Sequence, residues 1–122
     1  MMKVFLTNDD GYEAKGYAAL KETAESFADK VTGIAPRGRQ SGTSMAVNLA
    51  DASIPYKTLG GGFAYLDATP ASCVKFMLCN TPHKEWPDLI ISGINHGSNA
   101  STGACYSGTL GAVREGALNG VR

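Results

Sequence analysis

With 122 residues, the chain is long enough for one domain with a real core and short for a doubly wound enzyme. Hydrophobic residues make up 43% and charged residues 18%, which excludes a disordered chain. The 11 basic and 11 acidic residues cancel, leaving no basic stripe for a nucleic-acid polymer or an anionic membrane surface, so neither is expected as a partner.

Cys73, Cys79 and Cys105 contain no Cys-x-x-Cys pair, which argues against a zinc ribbon and a disulfide framework. They read as thiols of a reducing compartment. The amino terminus, MMKVFLTNDD, lacks the apolar stretch and small-residue cleavage site of a signal peptide. A membrane span would need about 20 apolar residues. A cytoplasmic location is therefore expected.

In chain order, Val4 to Thr7 reads as a short buried strand followed by a polar, glycine-containing loop. From Gly16 a helix is predicted, with Tyr17, Leu20, Ala24 and Phe27 on one face and Lys21, Glu22 and Glu25 on the other. Val31 to Ala35 reads as a second strand, stopped by Pro36. Strand, helix, strand at this spacing predicts a βαβ unit with parallel strands. A polar loop over 37–44 follows, then short strands at Ala46–Leu49, Ile54–Leu59 and Phe63–Leu66, the last two joined through Gly60-Gly61-Gly62.

Thr69-Pro70 is a helix start, a capping hydroxyl before proline at the first helical position. That helix is expected to reach Leu78, with Ala71, Val74, Met77 and Leu78 inward. Asp88 to Ser92 reads as another buried strand, and a long polar loop leads from it to a helix capped by Ser107 and closed by Asn119-Gly120. Gly108, Gly111 and Gly116 weaken that helix, which is tolerable where the face packs closely or approaches a ligand. No strand is expected after it.

Open parallel sheets place ligands outside the carboxyl ends of their strands. Asn8-Asp9-Asp10-Gly11, Gln40-Ser41-Gly42 and Gly93-Ile94-Asn95 each follow a predicted parallel strand, so all three should open on one edge. Adjacent carboxylates at a strand end repel unless a cation lies near them, and an oxygen-only set suits Mg²⁺, Mn²⁺ or Ca²⁺. Asp9 and Asp10 alone are equally a turn and a helix cap; the two further oxygen-bearing loops favour a metal site. Tyr106-Ser107-Gly108-Thr109, at a helix amino terminus, reads either as an ordinary cap or as a seat for an anion. A metal site beside an anion seat describes phosphoryl transfer or phosphate hydrolysis.

Thr7-Asn8-Asp9-Asp10-Gly11, Ala35-Pro36 with Gln40-Ser41-Gly42, and Ser92-Gly93-Ile94-Asn95 resemble successive motifs of the SurE family. Gly97 with Asn99, Tyr106-Ser107-Gly108-Thr109 and Glu115-Gly116 continue the series in order along nearly the whole chain. The resemblance implies a Rossmann-like, three-layer α/β/α fold with a mostly parallel sheet, residues 1–122 forming the amino-terminal part of the family's phosphatase domain. It implies one divalent cation, Mg²⁺ or Mn²⁺, held by Asp9, Asp10, Ser41 and Asn95. It also implies a phosphate held by Asn99, Ser107, Gly108 and Thr109. The expected activity is hydrolysis of nucleoside 5′- and 3′-monophosphates, with short polyphosphate as a further substrate. Asp9 and Asp10 are the catalytic candidates: Asp9 to activate water beside the cation, or a carboxylate acting directly as nucleophile.

The chain departs from the family at Ala68 and Ser72, usually glycine and aspartate, and at Ser101 and Gly103, usually glycine and aspartate. None is a proposed metal ligand. Members of the family are considerably longer, so a chain truncated at its carboxyl end is expected, and full-length members are expected to be homodimers or tetramers. The competing readings are a catalytically inactive phosphate- or nucleotide-binding fragment and a dinucleotide-binding domain. No Gly-x-Gly-x-x-Gly follows the first strand, which disfavours the latter. His83 reads as a solvated loop residue and His96 as a neighbour of the site that the family pattern does not require.

Overall fold

The computed structural model describes residues 2–38, 56–93 and 108–122. Strand β1 (Lys3–Thr7) is followed by helix α1 (Lys15–Glu25) and strand β2 (Lys30–Pro36). Then come β3 (Tyr56–Gly60), β4 (Phe63–Leu66), α2 (Pro70–Cys79), β5 (Leu89–Ser92) and α3 (Gly108–Leu118). The sheet order is β3-β4-β2-β1-β5. β1 pairs in parallel with β2 and β5, β2 in parallel with β4, and only the β3–β4 pair is antiparallel. The expected mostly parallel α/β sheet is present. The strand expected at Ala46–Leu49 lies outside the described residues.

Alternation along the strands sorts the core into two layers. Val4, Leu6 and Ala35 face α1, where Tyr17, Leu20 and Ala24 cover them. Phe5, Ile34, Ala64, Leu66 and Ile90 face the other way, against Cys73, Val74, Met77 and Leu78 of α2 and Ala112 of α3. Phe27 is a correction. It was expected on the inner face, but α1 stops at Glu25 and Phe27 is 52% exposed. Beyond the last helical turn, the helical period no longer decides which way a side chain points.

α2 begins as its sequence predicts. Thr69 accepts from the Ser72 backbone N–H at 3.1 Å, with Pro70 at the first turn. α3 ends in a left-handed turn at Gly120 (φ 83°), where Val121 N–H donates to the Gly116 carbonyl at 2.9 Å. No strand follows α3 among the described residues, as expected. The two residues after the turn lie against β5 without forming a strand: Ile90 N–H donates to the Arg122 carbonyl, and Val121 is buried in the core. α3 approaches β5 closely at Gly116, where a Cβ would stand 2.8 Å from Ile90 Cδ1. No helix among the described residues is long and apolar enough to cross a membrane.

Candidate active site

The connection from β1 through α1 leads to β2 on one side, whereas α2 carries the chain back to β5 on the other. The order therefore reverses at the carboxyl end of β1, and ligands of open sheets bind at such a point. Thr7, Asn8 and Asp9 lie there. Asn8 is fully buried and its amide is used twice. Nδ2 donates to the Gly11 carbonyl at 2.7 Å, and Oδ1 accepts from the Gly11 N–H at 3.2 Å.

Gly11 has φ 108°, and a Cβ there would lie 3.0 Å from Gly38 Cα, so the turn after β1 packs on the turn after β2. Tyr12 N–H donates to the Pro36 carbonyl at 2.9 Å and closes the junction. Asp9 and Asp10 are thus fixed between two strand ends. Asp9 is buried, 3% exposed, and Asp10 is half-buried. Asn8 stood in the sequence reading as one member of an oxygen-rich loop; its role as the tether was missed. The available signal was an asparagine three residues before glycine, a pattern that closes turns through the side chain.

Thr7 and Ser92 are register partners across β1 and β5. Ser92 Oγ is buried without a hydrogen-bond partner, and the buried Thr7 Oγ1 has only the thiol of Cys73 to meet. Leaving a buried hydroxyl unsatisfied costs about 1–3 kcal/mol, so poorly satisfied hydroxyls at the strand ends that lead to Asp9 and Gly93 are consistent with a polar ligand there. Thr7 faces the weakly polar thiol of Cys73, which burial pushes well above its ordinary range despite some opposition from that hydroxyl. The donor set is oxygen only, which fits a hard divalent cation and not a soft one.

α3 runs back along β5, packing on it at Gly116, so its first residues, Gly108 and Thr109, lie toward the same carboxyl edge. Ser41, Asn95, Asn99 and Ser107 lie outside the described residues, as do His96, Ser101 and Gly103. Among the described residues, no group of three His, Cys, Asp or Glu side chains comes together. His83 is exposed in a 3-10 turn (His83–Glu85), its ring 4.5 Å from Trp86, and it precedes β5 at the opposite edge. A cavity of about 440 Å³ also opens at that opposite edge, among Lys3, Lys30, Thr32, Phe76 and Pro82. Neither Asp9 nor Asp10 lines it.

The family model described as Survival protein SurE matches residues 4–122. The chain belongs to the SurE family. Among its relatives, 5′-nucleotidase SurE of Polaromonas naphthalenivorans (strain CJ2) is 42% identical over 120 residues, 98% of this chain and 45% of that protein. 5′-Nucleotidase SurE of Campylobacter fetus subsp. fetus (strain 82-40) is 42% identical over 122 residues, 99% of this chain and 47% of that protein. The crystal structure of the SurE protein from Aquifex aeolicus superposes with a TM-score of 0.88 at 32% identity, covering 98% of this chain and 48% of that one. The chain spans about half the length of the curated relatives it matches. The SurE fold is shared across this half.

The departures from the family pattern gain a physical setting here. Ala68 and Ser72 are both buried at the start of α2, where the Thr69 hydroxyl donates to Ser72 Oγ at 2.9 Å. A hydroxyl pair thus stands where the family usually has a carboxylate beside a capping threonine.

Proposed function

We propose that the chain carries the catalytic edge of a divalent-cation-dependent nucleotidase that hydrolyses nucleoside 5′- and 3′-monophosphates to nucleoside and phosphate. Short polyphosphate is a further substrate, and residues 1–122 form the amino-terminal part of the phosphatase domain. The observation that carries this reading is the buried Asp9, next to Asp10, at the end of β1, with the register pair Thr7 and Ser92 at the adjoining strand ends. The names of the relatives from Polaromonas and Campylobacter supply the reaction class.

In this reading Asp9 and Asp10 hold a Mg²⁺ or Mn²⁺ ion together with Ser41 and Asn95. When bound, the cation neutralises charge on the phosphoryl oxygens and makes an attacking water more acidic. Asp9, buried and fixed by the Asn8 tether, accepts the proton of the water that attacks phosphorus. Gly108 and Thr109, with Asn99 and Ser107, bind the phosphate at the amino terminus of α3, where free N–H groups and the helix dipole favour an anion. The protein works in the cytoplasm as a homo-oligomer.

Phosphate release from a nucleoside monophosphate, measured with Mn²⁺, with Mg²⁺ and with excess chelator, tests the reading. Turnover that the chelator abolishes and Mn²⁺ restores is expected. Nucleotide binding with no phosphate release under any of these cations would overturn it and make the chain a binding module.

A further inference from the structure

We propose that Tyr12 and Tyr65 form the aromatic surface on which the nucleobase of the substrate stacks, an inference that rests on the nucleotidase reading. Their rings lie 4.9 Å apart, centroid to centroid, with only 21° between their planes. Tyr12 directly follows Asp9-Asp10-Gly11, and its backbone N–H is pinned to Pro36 at the carboxyl end of β2. Tyr65 stands on β4 opposite Ala35 of β2. The pair therefore sits on the same edge as Asp9, displaced across β2 toward β4.

Strands in a sheet lie roughly 4.8 Å apart, so β4 is about 10 Å from β1. A nucleotide whose phosphate lies between the end of β1 and the amino terminus of α3 reaches the pair when its nucleoside extends across β2.

The two tyrosines also differ from the one that belongs to the core. Tyr17, on the same face of the sheet, is buried and donates to the Leu6 carbonyl at 3.3 Å. Tyr12 and Tyr65 are half-buried, and the Tyr12 phenol meets the carboxylate of Glu13 instead of a backbone group. Arg37 and Asp67, 3.8 Å apart, follow β2 and β4 directly and rim the pair with an exposed donor and an exposed acceptor. The two rings already fill the space between them, so a base would stack on an outer face of the pair, and stacking is tolerant of which base it receives.

The variants Tyr12→Ala and Tyr65→Ala, with Tyr12→Phe and Tyr65→Phe as stacking-competent partners, test the platform. Each is assayed with adenosine 5′-monophosphate and with ribose 5-phosphate, which carries the same phosphate ester without a base. Equilibrium dialysis against adenosine gives a readout that needs no turnover. The kcat/KM ratio of nucleotide over sugar phosphate is expected to fall about tenfold in the alanine variants, with a matching rise in the adenosine Kd, and to survive in the phenylalanine variants. An unchanged ratio and Kd in the alanine variants, or a wild-type protein with no preference for the nucleotide and no adenosine binding, overturns the platform while leaving the hydrolase reading intact. Adenosine binding that depends on the two rings, in a protein that hydrolyses neither ester, sinks the nucleotidase reading and leaves the platform standing. Should an alanine variant fail to fold, Tyr12→Leu and Tyr65→Leu, which keep apolar bulk without a flat ring, decide: an unchanged ratio and Kd in them overturns the platform.

Discussion

The Tyr17 hydroxyl lies directly over Gly33, where it donates to the Leu6 carbonyl at 3.3 Å. A Cβ at Gly33 would overlap that oxygen and stand 3.0 Å from both the Leu6 carbonyl oxygen and Phe63 Cδ1. Gly33→Ala is therefore expected to destabilise the fold by about 1–3 kcal/mol, the scale of an overpacked core. Tyr17→Phe alone should cost about 1 kcal/mol for the lost hydrogen bond. Combined, the two should cost less than their sum, because removing the hydroxyl makes room for the methyl group. Denaturant melts of the four proteins measure this, and strict additivity would count against the overlap.

Much of this fold was legible because alternation and helical period act locally. Val4, Leu6 and Phe5 divide between two faces as a strand buried on both sides must, and Thr69-Pro70 starts α2 by its own side-chain chemistry. Asp9 and Asp10 were legible as a candidate site for the same reason, since two carboxylates at a predicted strand end need a partner of opposite charge. What was not legible depends on residues distant in sequence. Nothing near Tyr12 indicates that Tyr65 stacks on it, and nothing near Gly33 indicates the phenol above it. Phe27 failed because a period was extended past a helix end. The return of Val121 and Arg122 to β5 needs the turn at Gly120 and the position of β5 together.

The Asn8 tether gives a second prediction. Asn8→Ala removes a donor to the Gly11 carbonyl and an acceptor for its N–H, both at buried positions. A cost of about 2–4 kcal/mol is expected, together with loss of the fixed geometry of Asp9 and Asp10. Asn8→Asp is the sharper variant. It keeps the acceptor for the Gly11 N–H but sets a carboxylate against the Gly11 carbonyl and a third charge beside Asp9 and Asp10. It should be nearly as damaging as alanine despite its shape. Thermal melts and cation titration of both variants test this; an Asn8→Asp protein that matches wild type removes the tether from the account.

Alkaline pH should unfold the protein through two buried acids. Burial raises the Cys73 thiol from its ordinary 9.0 and the Tyr17 phenol from its ordinary 10.0. Both stay protonated in the fold while the unfolded chain ionises. Their stabilising effect is whole below pH 9 and is lost as the pH climbs through and beyond the unfolded values. Each group lowers stability by about 1.4 kcal/mol per pH unit past its unfolded pKa. Melts from about pH 8 to 11 should show the decline steepening at the upper end, where the phenol joins the thiol. Cys73→Ala should begin less stable but decline less steeply, and an identical slope in the variant would show that the thiol is not involved.

Asp9→Asn tests the centre of the proposed site. Asp9 is 3% exposed at the end of β1, with Asp10 beside it and the Thr7 hydroxyl two residues before it on the same strand. Asparagine keeps the size and much of the hydrogen bonding but removes one negative charge. Without a cation, two neighbouring carboxylates, one of them buried, repel each other, so the metal-free variant should be as stable as wild type or slightly more so. With a cation the order should reverse, because a ligand at free concentration c that binds only the folded state stabilises it by RT ln(1 + c/Kd), which grows with the cation's affinity. The Mn²⁺-induced rise in melting temperature should therefore be large in wild type and small in the variant. Phosphate release from a nucleoside monophosphate should fall by about 10² to 10⁴, the scale of losing a general base and weakening its cation. The two readouts separate a turn residue from a ligand. A variant that keeps its Mn²⁺ shift and most of its activity makes Asp9 a turn residue and moves the site elsewhere. One that loses both while melting normally without metal places the charge of Asp9 at the heart of cation binding and catalysis.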